Sequence, residues 1–246
     1  MPTYSTHEGR VAVVTGAGRG IGASIATELA HRGAHVVAAD LEFPFDTVAA
    51  ISDHALGVAA DVSDPSGWAD IARAAEDFGA VDIVINNAAY YPHHHIDTLD
   101  LQTWRRTMAV NLDAHYYSAK QFLPAMRRKK WGRFVGISSN SVGLAVPGMS
   151  HYIASKMAII GFMRGLANDV AEDGITCNAV LPGLTHTPAT DTQSDDERSA
   201  VWQSQAIKRL AEPEDVLGPV MFLTSEDAAF ITAQAIVADG GQYRIG

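Results

Sequence analysis

Short apolar runs rich in β-branched residues recur along the chain and alternate with longer stretches of mixed polarity. Seven of these runs have strand length: 10–15 (RVAVVT), 34–40 (AHVVAAD), 56–61 (LGVAAD), 81–87 (VDIVINN), 133–139 (RFVGISS), 175–180 (ITCNAV) and 234–239 (QAIVAD). They are apolar almost throughout rather than every second residue, the pattern of strands covered on both faces. Segments near 20–32, 66–78, 101–129, 150–172 and 213–224 have helical length. Strand and helix taking turns in this way predict an α/β fold, a Rossmann-type doubly wound parallel sheet with helices on both faces. No proline- or glycine-rich linker and no internal repeat interrupts the rhythm, so 1–246 is expected to be one domain. The long break at 183–212 opens polar, turns apolar and follows the end of a predicted strand. Ligands of open α/β sheets sit beyond such ends, and the segment is expected to be a substrate lid, the alternative being a solvated insertion.

Composition narrows the setting. The net charge, 18 − 28 = −10, argues against a general nucleic-acid binder. No apolar run approaches the roughly 18 residues that span a bilayer, and MPTYSTHEG at the start does not read as a signal peptide. The single cysteine, Cys177, excludes an intrachain disulfide and is expected to be a buried strand residue rather than a nucleophile. A cytoplasmic protein without a membrane or nucleic-acid partner is expected.

The first strand runs directly into TGAGRGIG, with Gly16, Gly18, Gly20 and Gly22 ahead of a helix. Glycines there let backbone approach a pyrophosphate while the helix N-terminus offers amide hydrogens. Ile21 stands where the strict G-x-G-x-x-G pattern has its third glycine, so the string is G-x-x-x-G-x-G. Asp40 ends the second strand, 40 − 22 = 18 residues on, where a carboxylate can accept from both ribose hydroxyls and repel a 2′-phosphate. This favours NAD over NADP, with Arg19 inside the loop as the contrary sign. Asp61, at the end of the third strand, is either an adenine-side contact or a helix cap.

Tyrosine four residues before lysine occurs twice, as Tyr152/Lys156 in YIASK and as Tyr116/Lys120 in YYSAK. Spacing alone cannot choose between them. The order of TGAGRGIG, NNAA (86–89), Asn111 in VNL, Ser139 in GISSNS, YIASK and PGLTHT (182–187) resembles the short-chain dehydrogenase/reductase family over nearly the whole chain. The family has an active-site serine thirteen residues before its tyrosine; here 152 − 139 = 13 selects Ser139 over Ser138 and Ser141, and Tyr152 over Tyr116. Tyr116 is then expected to be a packing residue.

The resemblance implies a catalytic set of Asn111, Ser139, Tyr152 and Lys156. Lys156, one helical turn from Tyr152, would stabilise its phenolate, whose free pKa is near 10. Tyr152 would exchange the hydroxyl proton, Ser139 would hold the substrate oxygen, and the Asn111 backbone would help hold a water joined to Lys156. The resemblance also implies cofactor contacts from Val62, Asn87, Ala88, Ala89, Pro182, Gly183, Thr185 and Thr187, and a homotetramer built partly from the helices at 101–129 and 150–172. Ala89 departs from the usual N-N-A-G and narrows the space beside the nicotinamide ribose.

AYYPHHHI (89–96) should border the substrate pocket. Its three histidines lack the i, i+4 placement of helical metal pairs, so a polar loop and no metal are expected. Tyr90, Tyr91, Ser141, Leu144, Val146, Met149 and Trp202 are the candidate pocket walls. Within the family, YYP, SHY and GITCNA look closest to dehydrogenases of aromatic secondary alcohols of the 1-phenylethanol type, with a small alcohol or ketone as the partner. A 3-oxoacyl-carrier-protein reductase and a pyridoxal-type dehydrogenase remain alternatives, and a catalytically silent nucleotide-binding scaffold is the alternative outside enzymes. RRKK (127–130) could dock an acidic carrier protein, or cap a helix C-terminus against its dipole.

Overall fold

The computed structural model describes residues 6–144, 146–188, 190 and 194–244, with the side chains of Asp195 and Glu197 left aside. The first residues of the chain, part of the predicted lid (189 and 191–193) and the last two residues lie outside the described residues. Seven parallel strands form one sheet in the order β3-β2-β1-β4-β5-β6-β7. They are β1 (Val11–Thr15), β2 (His35–Asp40), β3 (Ala55–Ala59), β4 (Ile83–Asn86), β5 (Gly132–Ile137), β6 (Ile175–Pro182) and β7 (Ala235–Ala238). The order reverses between β1 and β4, and ligand crevices of such sheets open at that switch.

The helices cover both faces. They are α1 (Gly20–His31), α2 (Phe45–Ile51), α3 (Pro65–Ala75), α4 (Leu101–Met108), α5 (Ala114–Lys129), α6 (Ser150–Val170), α7 (Asp195–Ser204) and α8 (Glu214–Leu223). Successive strand residues point to opposite faces, so each strand feeds two cores. Val11 and Val13 pack with Trp68, Phe122, Met126 and Met163 on one side. Ala12 and Val14 pack with Ile25, Leu29, Val216 and Val220 on the other. Every residue of β1, β5 and β6 is buried, whereas the edge strands β3 and β7 are mostly half-buried because each has a neighbour on one side only.

Several expectations are corrected. The predicted helix at 101–129 is two α-helices joined by a π-helical stretch, Ala109–Asp113. Asn111 sits in that stretch and turns its side chain to the backbone of Tyr90 outside the helix; such π-helical turns are frequent at functional sites. The short helix α2 has no counterpart among the predicted helices. The third strand ends at Ala59, short of Asp61. Tyr116 is 52% exposed rather than packed. The basic run meets carboxylates at the end of α5: Arg127 and Lys130 pair with Asp173, and Lys129 with buried Asp82. Cys177 is fully buried on β6, with its thiol pushed up to about 12. Among the described residues, no helix is long and apolar enough to cross a membrane.

The lid contains α7 and is tied at its base. Thr185 and Ala211 form a parallel bridge, His186 N–H donates to the Ala211 carbonyl at 2.7 Å, and Ala206 N–H donates to the Gly240 carbonyl at 2.8 Å.

Two enclosed imidazoles make the fold acid-sensitive. Burial pushes His7 down to about 4 and His115 down to about 3. In the unfolded chain both return to about 6.5, so the unfolded state binds more protons below that pH. The stability they carry as neutral groups is complete above pH 6.5 and is lost as the pH falls toward their folded values. Thermal melts should show a falling Tm from pH 7 to 5.5, with His115 alone contributing roughly 1.5 kcal/mol. A Tm that stays flat over that interval would contradict the neutral burial of both rings.

Candidate active site

The glycine loop links β1 to α1 where strand and helix nearly touch. Gly16 and Gly20 have φ of +65° and +58°, a left-handed conformation that favours glycine. A Cβ on Gly22 would lie 2.0 Å from the Gly16 carbonyl oxygen, and one on Gly18 would lie 2.8 Å from Asp40 Oδ2. Asn87 holds the loop from β4's side. Its Nδ2 donates to the carbonyls of Thr15 at 2.9 Å and Gly16 at 3.1 Å. The amides of Asn87 and Ala88 both donate to Thr15 Oγ1.

The same loop leaves an anion site. The α1 N-cap, Arg19, makes no side-chain capping bond and the first turn holds no acid, so the helix N-terminus keeps its electropositive character. The Asp40 carboxylate sits at the carboxyl end of β2, accepting from Gly18 N–H at 2.8 Å and Leu41 N–H at 2.7 Å. It retains lone pairs for further donors. Thr187 leans over from the lid side, its methyl 3.1 Å from where a Gly20 Cβ would be. Pro182, Gly183 and Thr185 bring the chain there: Gly183 N–H bonds the Ala238 carbonyl at 3.1 Å, and Thr185 Oγ1 the Gly183 carbonyl at 3.1 Å. These residues fit a dinucleotide, with pyrophosphate at α1 and a ribose at Asp40. Val62 is buried beside the cleft's outer end, while the Asp61 carboxylate accepts from the amide and hydroxyl of Ser63 at 2.9 and 2.6 Å. These bonds engage one carboxylate oxygen of Asp61 in a turn and leave the other with lone pairs for a further donor.

Helix α6 and the end of β5 assemble the acid/base group. Tyr152 and Lys156 face the same way, the Lys156 Nζ lying 5.6 Å from the phenol ring centre. The Ser139 hydroxyl acts on the Tyr152 phenol in the direction that favours its charged form, and its Oγ accepts from the Ser141 amide at 3.2 Å. Ser138 is committed elsewhere, donating to the Lys156 carbonyl at 2.8 Å, and Ser141 keeps a buried hydroxyl without a partner. Of the three serines, Ser139 is the one that acts on the Tyr152 phenol.

The Asn111 side chain is fully engaged with other elements. Its Oδ1 accepts from Tyr90 N–H at 2.7 Å, and its Nδ2 donates to the Tyr90 carbonyl at 3.0 Å and to Ser155 Oγ at 2.9 Å. It thereby ties α6 to the loop after β4. Lys156 is 2% exposed and donates to the Ile137 carbonyl at 2.7 Å.

Loss of solvent pushes Tyr152 up to about 12, with Ser139 opposing and Tyr91 reinforcing the rise. The same cause pushes Lys156 down to about 7, since both groups sit in a dry site.

The loop after β4 walls the cleft. Tyr91, 43% exposed, meets Tyr152 edge-on with ring centres 6.0 Å apart. The Tyr90 ring lies under the Arg106 guanidinium at 5.1 Å. His151, the residue before the catalytic tyrosine, is fully buried and donates from Nε2 to the Pro92 carbonyl at 2.9 Å. His94 N–H bonds the Gly148 carbonyl at 2.9 Å. No local pattern singles out His151, Ser155 or Ile137, whose partners Pro92, Asn111 and Lys156 stand on other segments of the chain. The histidines 93–95 form part of this wall, and among the described residues no group of three or more His, Cys, Asp or Glu could hold a metal ion. Leu144 and Met149 are half-buried between Ser139 and Tyr152, Val146 is 39% exposed, and Trp202 is half-buried on α7.

Comparison with known proteins agrees with this geometry. A family model described as enoyl-(acyl carrier protein) reductase matches residues 16–242. The 3-oxoacyl-(acyl-carrier-protein) reductase of Vibrio cholerae is 35% identical over 97% of this chain and 99% of its own length. A D-beta-hydroxybutyrate dehydrogenase of Rhizobium meliloti is 32% identical over 94% of this chain and 98% of its own. Among solved structures, one from Sinorhizobium meliloti 1021 described as a short-chain alcohol dehydrogenase superposes with a TM-score of 0.92 at 33% identity, covering 97% of this chain and 98% of that one. One from Beutenbergia cavernae described as an NAD(P)-dependent gluconate 5-dehydrogenase, with NADP at low occupancy, does so with a TM-score of 0.91 at 36% identity and the same coverage. With the family model over residues 16–242 and relatives and solved structures matched over nearly the whole chain, the protein belongs to the short-chain dehydrogenase/reductase family of oxidoreductases.

Proposed function

We propose that the protein is an NAD-dependent dehydrogenase that interconverts a secondary alcohol bearing an aromatic or bulky apolar group and its ketone. The observation that carries the substrate class is Tyr91 set edge-on against Tyr152, which puts an aromatic wall beside the reacting oxygen. The bound dinucleotide supplies the hydride acceptor at its nicotinamide and a positive charge near Tyr152. The polypeptide does the rest. Ser139 fixes the substrate oxygen and Tyr152 takes the hydroxyl proton in oxidation, returning it in reduction. Lys156 offsets the phenolate charge, and Asn111 keeps α6 and the Tyr90–Tyr91 loop in fixed relation.

Asp40 supports NAD. Its carboxylate already receives two backbone amides at the lip of the cleft, and a 2′-phosphate there would meet like charge at close range. The second reading is reduction of a 3-oxoacyl group on a carrier protein, favoured by the names of the curated relatives at 33–35% identity. Assembly as a tetramer belongs to the same proposal and is supported by the exposed apolar side chains of Leu101, Trp104, Tyr116 and Met157 on α4–α6. Sedimentation at micromolar concentration should give four chains, and a monomer would reject it.

Initial rates with racemic 1-phenylethanol should be at least roughly tenfold higher with NAD than with NADP. Asp40→Ser should narrow or invert that ratio. Activity with NADP and an acyl-carrier substrate alone would replace the first reading by the second. Tyr152→Phe should lower turnover by about 10²–10⁴ while NADH fluorescence titration gives an unchanged affinity. Residual turnover near the wild-type rate would remove Tyr152 from the mechanism.

A further inference from the structure

His115 lies on α5, one turn after Asn111, and its imidazole is 2% exposed. Neither Nδ1 nor Nε2 has a hydrogen-bond partner in the protein. Two unpaired nitrogens in a close-packed interior are costly unless something polar meets them. Room for the ring comes from Gly136 on β5, where a Cβ would lie 3.0 Å from His115 Nε2. The β4 residue paired with Gly136 is Asn86, whose Oδ1 is likewise buried and unpartnered. Asn86 Nδ2 donates to Ser118 Oγ at 3.1 Å, and that hydroxyl donates to the His115 carbonyl at 2.9 Å. Ser118 thus links the Asn86 amide to the His115 backbone, and both side chains keep open hydrogen-bonding capacity. The next residue along β5 from Gly136 is Ile137, whose carbonyl holds the Lys156 ammonium, and two of that ammonium's three donors have no partner given by the protein.

The charged group acting on His115 is Lys156 from α6. Its other neighbours are uncharged: Asn86 on β4, Gly136 on β5, and Ile159 and Phe162 on α6. Tyr152 in turn faces Lys156, Ser139 and Tyr91.

Building on the acid/base reading of Tyr152 and Lys156, we propose that His115 is a positioning residue for that pair: its neutral imidazole, through an internal water shared with Asn86, accepts from the Lys156 ammonium and keeps the lysine charged beside the phenol. A buried water typically makes about three hydrogen bonds, and Lys156, His115 and Asn86 supply one donor and two acceptors for it. Without this acceptor the ammonium would be less favoured, and the phenolate it supports would form at higher pH.

The test compares wild type with His115→Leu, His115→Gln and Asn86→Ala. The kcat of alcohol oxidation is followed against pH, and the phenolate absorbance is titrated in the NAD complex with Tyr152→Phe as the reference. His115→Leu should bind NADH normally, keep its KM, and move both the acid limb and the phenolate midpoint upward by about one pH unit, roughly tenfold in kcat on the acid side. His115→Gln, which restores an acceptor, should bring both back toward wild type. A folded His115→Leu protein with an unmoved limb and midpoint overturns the inference, as does an equal loss of rate at every pH, which would mark a packing role. If His115→Leu does not fold, Asn86→Ala decides: an upward shift supports the shared water and its absence overturns it. Should wild type turn over no alcohol, the functional proposal fails, while the phenolate titration still decides the role of His115.

Discussion

The Lys156 ammonium is held inside the protein by the carbonyl at the end of β5, and much of the active site is organised around that one bond. An ammonium taken out of water costs several kcal/mol unless it is well met. Burial accordingly pulls Lys156 down to about 7, close to the edge of losing its charge. The protein fixes the helix that carries it rather than the side chain alone. Ser138 bonds the Lys156 carbonyl, and Ser155, one residue earlier, is bonded to Asn111. The lysine thus enters from a helix that is pinned to β5 and to the π-helical stretch.

That pinning explains why a helix irregularity sits at the site. Asn111 lies in the π-helical stretch Ala109–Asp113 and holds both backbone groups of Tyr90 from there. The Tyr90–Pro92 loop is caught a second time by His151, so the wall and the catalytic tyrosine belong to one rigid unit. On the nucleotide side the corresponding unit is Asp40 bonded to Gly18, and Asn87 bonded to Gly16. Each joins the end of one strand to the glycine loop of another. Catalytic geometry of this kind gains from positions fixed before a substrate arrives.

Much of this was legible in the sequence. Continuous apolar runs gave all seven strands because buried parallel strands leave no polar face, and the glycine loop followed because few residues besides glycine tolerate those dihedrals and contacts. The thirteen-residue spacing picked Ser139 and Tyr152 because one strand end and one helix start stand in fixed relation on this fold. The failures have physical reasons too. Tyr116 satisfied the same local spacing as Tyr152 but faces outward, and the strand expected to end at Asp61 stops at Ala59.

The sequence by itself determined the sheet, the loop that approaches a phosphate and the residues able to exchange a proton, since these depend on local pattern and short spacing. Only the tertiary structure decided that the Asn111 side chain bonds the backbone of Tyr90, that His151 bolts the Pro92 loop to α6, and that His115 is buried without a hydrogen-bond partner on either nitrogen. It also decided that Tyr152 and Lys156 both lie out of solvent, which shifts each toward its neutral form. Burial and partnership across tens of residues set those outcomes, and neither is carried by any stretch of chain alone.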